Sequence, residues 1–236
     1  MTAAIRQIDR SNPRPAAPLH RREHRSVLAT AERRVLIWLA ERMPARVNSD
    51  HLTLLAIVSM IVAGAGFATV RITPWSAGVV IAALAANWFG DSLDGTLARV
   101  RDQQRPRYGF YVDHVLDVAG TSFLVAGLAC SGFMNPIIAL ALLAAYLLVA
   151  AESFLATHAV GVFRISCFGF GPTELRIVLA IGAIEMVRTP WVSIASLPPM
   201  RLFDVGGLVA LAGLALVFVV SAVRNTTALY RAEPLR

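Results

Sequence analysis

Six apolar runs dominate the chain, with polar residues gathered between them rather than alternating within them. They extend over Leu52 to Val70, Trp75 to Arg99, Tyr108 to Gly132, Pro136 to Leu155, Thr173 to Val187 and Val205 to Val223. A stretch of about twenty apolar residues crosses the roughly 30 Å hydrocarbon core of a bilayer, so the pattern predicts an all-α integral membrane bundle of six transmembrane helices. The first and last runs carry no charge. The second is apolar only from Trp75 to Gly90, sixteen uncharged residues, and is expected to continue as a polar helix into the interface. The fifth is interrupted by Glu174, Arg176 and Glu185, whose side chains are expected to face protein. Ahead of the spans, between Ser26 and Arg42, Leu28, Ala31, Val35, Trp38 and Leu39 share one helical face. Glu32, Arg33, Glu41 and Arg42 fall largely off that face, which predicts an amphipathic interfacial helix lying on anionic lipid. Residues 1–25 are rich in Pro and Arg and have no hydrophobic periodicity, so they are expected to form a disordered cytoplasmic tail ahead of a membrane domain over 26–236. There is no internal repeat.

Composition agrees with lipid as the solvent. The 236 residues are 56% hydrophobic and 16% charged, and the mean hydropathy is +0.61, too apolar for an ordinary soluble domain. The formal net charge of +7 is carried by arginine, with no lysine anywhere in the chain. Arginine makes forked contacts to phosphate and carboxylate, so lipid headgroups or phosphorylated substrates are plausible partners. Nucleic acid is not, because the basic residues flank apolar spans and are not interleaved with aromatics on a solvated face. Cys130 and Cys167 have no paired spacing that would suggest zinc or a disulfide framework, and are read as structural. The N-terminus lacks the apolar core and cleavage site of a signal peptide.

The arginines also orient the bundle. Ten precede the first span; Arg99, Arg101, Arg105 and Arg107 crowd the link after the second, and Arg224, Arg231 and Arg236 follow the sixth. Only Arg71, Arg188 and Arg201 fall on the other side. Positive charge stays on the cytoplasmic face, so both termini and the link "RVRDQQRPR" are expected there, in a bacterial-type inner or plasma membrane.

That orientation places two pairs of acids at the cytoplasmic mouth. On a helix, Asp91 and Asp94 share a face that Gly95 and Ala98 extend, acidic and nearly free of side-chain bulk. Gly109, Asp113 and Asp117 repeat the arrangement at i, i+4 and i+8, and the short link predicts that the two helices are antiparallel neighbours whose four carboxylates converge. Four ionised carboxylates at the edge of hydrocarbon are tolerable only when cations or shared protons neutralise them. All-oxygen ligands select a hard divalent ion, Mg²⁺ or Mn²⁺, and two such ions could hold a pyrophosphate between them.

The pattern Asp91-x-x-Asp94-Gly95-x-x-Ala98-Arg99, nine residues, then Gly109-x-x-x-Asp113-x-x-x-Asp117 resembles the signature of the CDP-alcohol phosphotransferases, membrane enzymes that make phospholipid headgroup linkages. The resemblance covers the chain from about Ser26 to its end and implies a six-span bundle, a cytoplasmic active site and a homodimer. It further implies transfer of a phosphoalcohol group from a CDP-linked donor to a hydroxyl acceptor, with release of CMP; at least one of these substrates is a lipid. Asp91, Asp94 and Asp113 would ligate the metal ions, and Asp117, also beside them, would be the general base for the acceptor hydroxyl. Gly95 and Ala98 would give the cytidine close access, and Arg99 would hold a phosphate or orient a carboxylate. "SDHLT", Ser49 to Thr53, is similar to the family's Pro-Asn/Asp-x-aliphatic-Thr motif, with serine in place of proline; this implicates Asp50 and Thr53 in the nucleotide site. Ordinary helix capping explains the same residues equally well.

A second polar island, "RISCFGFGPTELR", leads into the fifth span. Arg164, Glu174 and Arg176 either line the pocket for the acceptor or donor headgroup or merely cap and pair at a helix start. His114 is read as packing, and Glu152 and His158 as groups behind the site or at a solvated helix end. "GAGFA" is read as a helix-packing surface. The competing function is a transporter or cation-binding protein with the acids along an ion path. Such sites lie near the bilayer midplane at broken helices, whereas these acids lie at one face. A non-catalytic scaffold is disfavoured because all four acids are present.

Overall fold

The computed structural model describes residues 29–160, 171–193 and 198–233. The expected tail, the first three residues of the expected interfacial helix, Arg164 and Cys167 lie outside these ranges. Among the described residues seven helices follow one another: α1 (Ala29–Arg42), α2 (Ser49–Thr69), α3 (Ser76–Val100), α4 (Pro106–Cys130), α5 (Pro136–Val160), α6 (Pro172–Arg188) and α7 (Leu202–Ala232). A short antiparallel pair, β1 (Trp191–Val192) and β2 (Met200–Arg201), joins α6 to α7; the apolar pattern gives no sign of it. Five of the described helices, α2, α3, α4, α5 and α7, are long and apolar enough to cross a bilayer, which makes this a multi-span integral membrane protein with an all-α architecture. The run expected as the fifth span is α6, a helix of 17 residues.

The centre of the bundle is α2, which packs on both α3 and α4, while α1 and α6 lie on α3 and α5 bridges α4 and α7. Between helices in lipid there is little hydrophobic gain, so close backbone approach through small residues does the packing. Here Gly64 of α2 and Gly127 of α4 lie backbone to backbone, leaving no room for a Cβ on either. Gly90 of α3 does the same against Leu52 and Ala56 of α2, so the packing role of the small-residue runs holds. Around these crossings Phe67, Val80, Leu84, Leu124 and Leu128 form the main apolar cluster. A second cluster, Leu36, Ala40, Leu52, Leu93 and Leu97, seats α1 on α2 and α3. By contrast α5 and α7 pack on each other and turn Ile137, Leu140, Val209 and Val219 outward.

One sequence expectation needs correcting. The helices carrying the acids pack mainly on α2 rather than on each other, and meet through their carboxylates. The Gly90 and Gly64 contacts bring each of them tightly onto α2. On α1 the face that meets protein carries Leu36 and Ala40, whereas Val35 and Trp38 of the expected apolar face are exposed. The helix is apolar on more than one side, and α3 takes one of them.

Candidate active site

The first turn of α2 sets up the site. Its N-cap is Asn48, whose side chain accepts from the His51 amide at 3.0 Å, while His51 Nδ1 accepts from the Asn48 amide at 3.3 Å. Since Asn48 caps the helix, Ser49 and Thr53 are released for contacts with α3. Ser49 Oγ donates to the Asp94 carbonyl at 3.1 Å and Thr53 Oγ1 to Asp94 Oδ2 at 2.7 Å. Asp50 pairs with Arg105 across the mouth of a cleft of about 290 Å³ that Asn48, Ser49, Leu97, Ala98 and Gln103 also line. A pair so exposed contributes about 1 kcal/mol or less to stability, so its effect is on the shape and charge of the cleft. Behind the cleft, Arg101 closes the α1–α2 link by donating to the carbonyls of Met43 at 2.8 Å and Pro44 at 2.9 Å.

Across from that cleft, carboxylate oxygens of Asp91, Asp113 and Asp117 lie within 4.8 Å of one another. The spacing follows from periodicity: Asp113 and Asp117 stack one turn apart on α4, and Asp91 meets them from α3. Asp94 is not part of that group; it lies within electrostatic reach of Asp91 and Asp113 but spends its oxygens on Thr53 and, at 2.5 Å, on the Gly95 amide. Three acids therefore converge where four were expected. Three convergent oxygen ligands suit a hard divalent cation, and the residues present fit one. Beside them Gly95 and Gly109 border open space, a Cβ on Gly95 meeting nothing closer than Arg99 Nη1 at 3.5 Å and one on Gly109 nothing at all. Arg99 is exposed and donates to Thr96 Oγ1 at 2.9 Å.

From α6, Arg176 enters the same layer. Its Nη2 donates to Asp91 Oδ2 at 2.5 Å and its Nε to Asn87 Oδ1 at 2.7 Å. Asn87 in turn donates to the Ala56 carbonyl of α2 at 3.0 Å. The two charged side chains are only 14% and 22% exposed, so water competes little for this pair. Glu174 accepts from the Gly171 amide at 3.0 Å and so takes part in capping α6. His114 is buried against Phe110 and Phe154, as packing requires. Glu152 accepts from Asn225 of α7 at 2.7 Å, which makes it a tie between α5 and α7.

Two functional candidates escaped the sequence. Asn87 offered a signal, being a lone amide in an apolar span one turn before Asp91. Glu32 offered none: placed off the apolar face of α1, it is instead half-buried and accepts from Trp88, Ser92 and Thr173.

The family model for CDP-alcohol phosphatidyltransferase matches residues 46–223. The chain belongs to this family. None of the curated proteins compared with it matches. As a CDP-alcohol phosphatidyltransferase it is a transferase of phospholipid biosynthesis, moving a phosphoalcohol from a CDP-linked donor to a hydroxyl acceptor with release of CMP. The matched span contains both acid pairs, the α2 start and α6, and excludes α1. The ion-transport alternative is not favoured.

Proposed function

We propose that Asp91, Asp113 and Asp117, with Asp94 behind them, hold Mg²⁺ or Mn²⁺, two ions in the full complex, and that the CDP-linked donor lies over the open face of Gly95 and Ala98. The observation that carries this reading is the convergence of three carboxylates from two helices. When bound, the ions supply Lewis-acid stabilisation of the pyrophosphate charge. The acceptor oxygen forms its bond to the phosphorus of the donor's phosphoalcohol as the bond from that phosphorus to the CMP oxygen breaks, and CMP leaves with the electron pair. Asp117, the most exposed of the three acids, takes the acceptor proton. Arg99 holds donor phosphate, and the Asp50–Arg105 pair shapes the nucleotide cleft beside Thr53. Arg176, with Arg164 and Glu174, borders the headgroup or acceptor pocket.

In this reading α6 is also a span, the fifth of six, α1 lies in the interface with Val35 and Trp38 toward lipid, and the acids face the cytoplasm of a bacterial-type inner or plasma membrane with both termini. The arginine-rich residues 1–25 are a tail to a membrane domain over 26–236. The outward apolar faces of α5 and α7 are available to lipid or to a second copy in a homodimer. The test is CMP release and lipid mass spectrometry of the purified protein given each CDP-linked donor in turn. Activity is expected with Mg²⁺ or Mn²⁺ and abolished by EDTA; full turnover in chelated protein would refute the metal assignment.

A further inference from the structure

Glu32 lies on α1, ahead of the residues that the family match covers. Yet one of its oxygens, Oε1, accepts three hydrogen bonds from two other helices: Trp88 Nε1 at 2.7 Å and Ser92 Oγ at 3.4 Å on α3, and Thr173 Oγ1 at 2.9 Å on α6. Ser92 is the residue after Asp91. Thr173 is three residues before Arg176, so the two share a face of α6. Arg176 in turn holds Asp91 Oδ2 at 2.5 Å and Asn87 at 2.7 Å. On α3, Asn87 and Asp91 are one turn apart, as are Trp88 and Ser92, and the two pairs lie on adjacent stripes. Thus α6 is tied to α3 twice, directly through Arg176 and indirectly through Glu32.

We infer that Glu32 is a positioning residue for the carboxylate site: it fixes the first turn of α6 on α3, so that Arg176 holds Asp91 in the orientation that meets Asp113 and Asp117. This rests on the reading of those carboxylates as the divalent-ion site. The apolar contacts of Leu36 and Ala40 seat α1 but are non-directional, and they reach α2 and α3 rather than α6. Among the described residues, the Glu32–Thr173 bond is a directional link from α1 to α6. Carboxylate ligands are themselves held by hydrogen bonds from groups behind them, and loss of such a group typically lowers metal affinity or activity by about ten- to a hundred-fold.

The test uses the full-length protein purified in detergent, with Glu32→Ala, Glu32→Gln, Thr173→Val and Asp91→Asn. Mn²⁺ binding is read by electron paramagnetic resonance, CMP release gives kcat and KM, and circular dichroism reports helix content. Glu32→Ala and Thr173→Val are expected to weaken Mn²⁺ binding by about ten-fold or more at unchanged helix content. The double variant should be little worse than either single one, since both break the same link. Glu32→Gln keeps an acceptor oxygen and should recover most of the affinity. Wild-type Mn²⁺ affinity in Thr173→Val, beside a defective Asp91→Asn, would overturn the role of Glu32 alone, even were Glu32→Ala to misfold. Wild-type affinity in Asp91→Asn would instead overturn the carboxylate site and this inference with it.

Discussion

Thr53 on α2 donates its hydroxyl to Oδ2 of Asp94 on α3 at 2.7 Å, and Ser49, one turn earlier, donates to the Asp94 carbonyl at 3.1 Å. The start of the central helix therefore fixes one member of the acid pair, and draws it away from the three carboxylates that converge. Replacing Thr53 by Val keeps the shape of the side chain and removes the donor. The expected outcome is a fall in kcat/KM of about ten-fold or more, with the unfolding temperature in detergent little changed and Thr53→Ser restoring activity.

Two glycines five residues apart on α3 should respond in opposite ways to alanine. At Gly90 a Cβ would stand 2.5 Å from the Leu52 carbonyl oxygen and 2.9 Å from the Ala56 nitrogen, both backbone atoms that cannot move aside. Gly90→Ala should therefore destabilise the bundle by about 1–3 kcal/mol or more. At Gly95 the added methyl meets only the far end of Arg99, at 3.5 Å. Gly95→Ala should fold at least as well, gaining up to about 1 kcal/mol from helix propensity. Its KM for the CDP-linked donor should rise. Thermal unfolding and donor titration check the two halves separately.

Arg176 acts as a fork, with Nε on Asn87 and Nη2 on Asp91. Lysine has the charge without the fork and cannot span both acceptors in that geometry. Arg176→Lys should lose about ten-fold in kcat/KM, and Arg176→Ala, which leaves Asp91 without its cation, up to about a hundred-fold. A lysine variant as active as the wild type would reduce the contact to simple charge pairing.

Hydrophobic pattern alone located every long helix to within a few residues of its ends, apart from the extensions of α5 to Val160 and of α7 to Ala232, because apolar length is what a bilayer reads. Periodicity likewise put Asp113 and Asp117 on one stripe, and motif spacing named the family. What it could not supply was the third helix in the geometry. The short link between α3 and α4 suggested direct packing, but the contacts of Gly64, Gly90 and Gly127 make α2 the common partner, and glycine says little about which helix it will meet. The same holds for Glu32 and Thr53, whose partners lie 141 and 41 residues away. A side chain's helical face is legible from sequence, whereas the element that covers that face is a property of the packed bundle.

The central claim is that Asp91, Asp113 and Asp117 together form one divalent-cation site. The most direct measurement is Mn²⁺ bound at equilibrium by the purified protein, compared with Asp91→Asn, Asp113→Asn and Asp117→Asn. Saturable binding in the wild type that weakens by more than about a hundred-fold in Asp91→Asn and in Asp113→Asn, and measurably in Asp117→Asn, is the predicted result. Wild-type Mn²⁺ affinity in Asp91→Asn or in Asp113→Asn would contradict it.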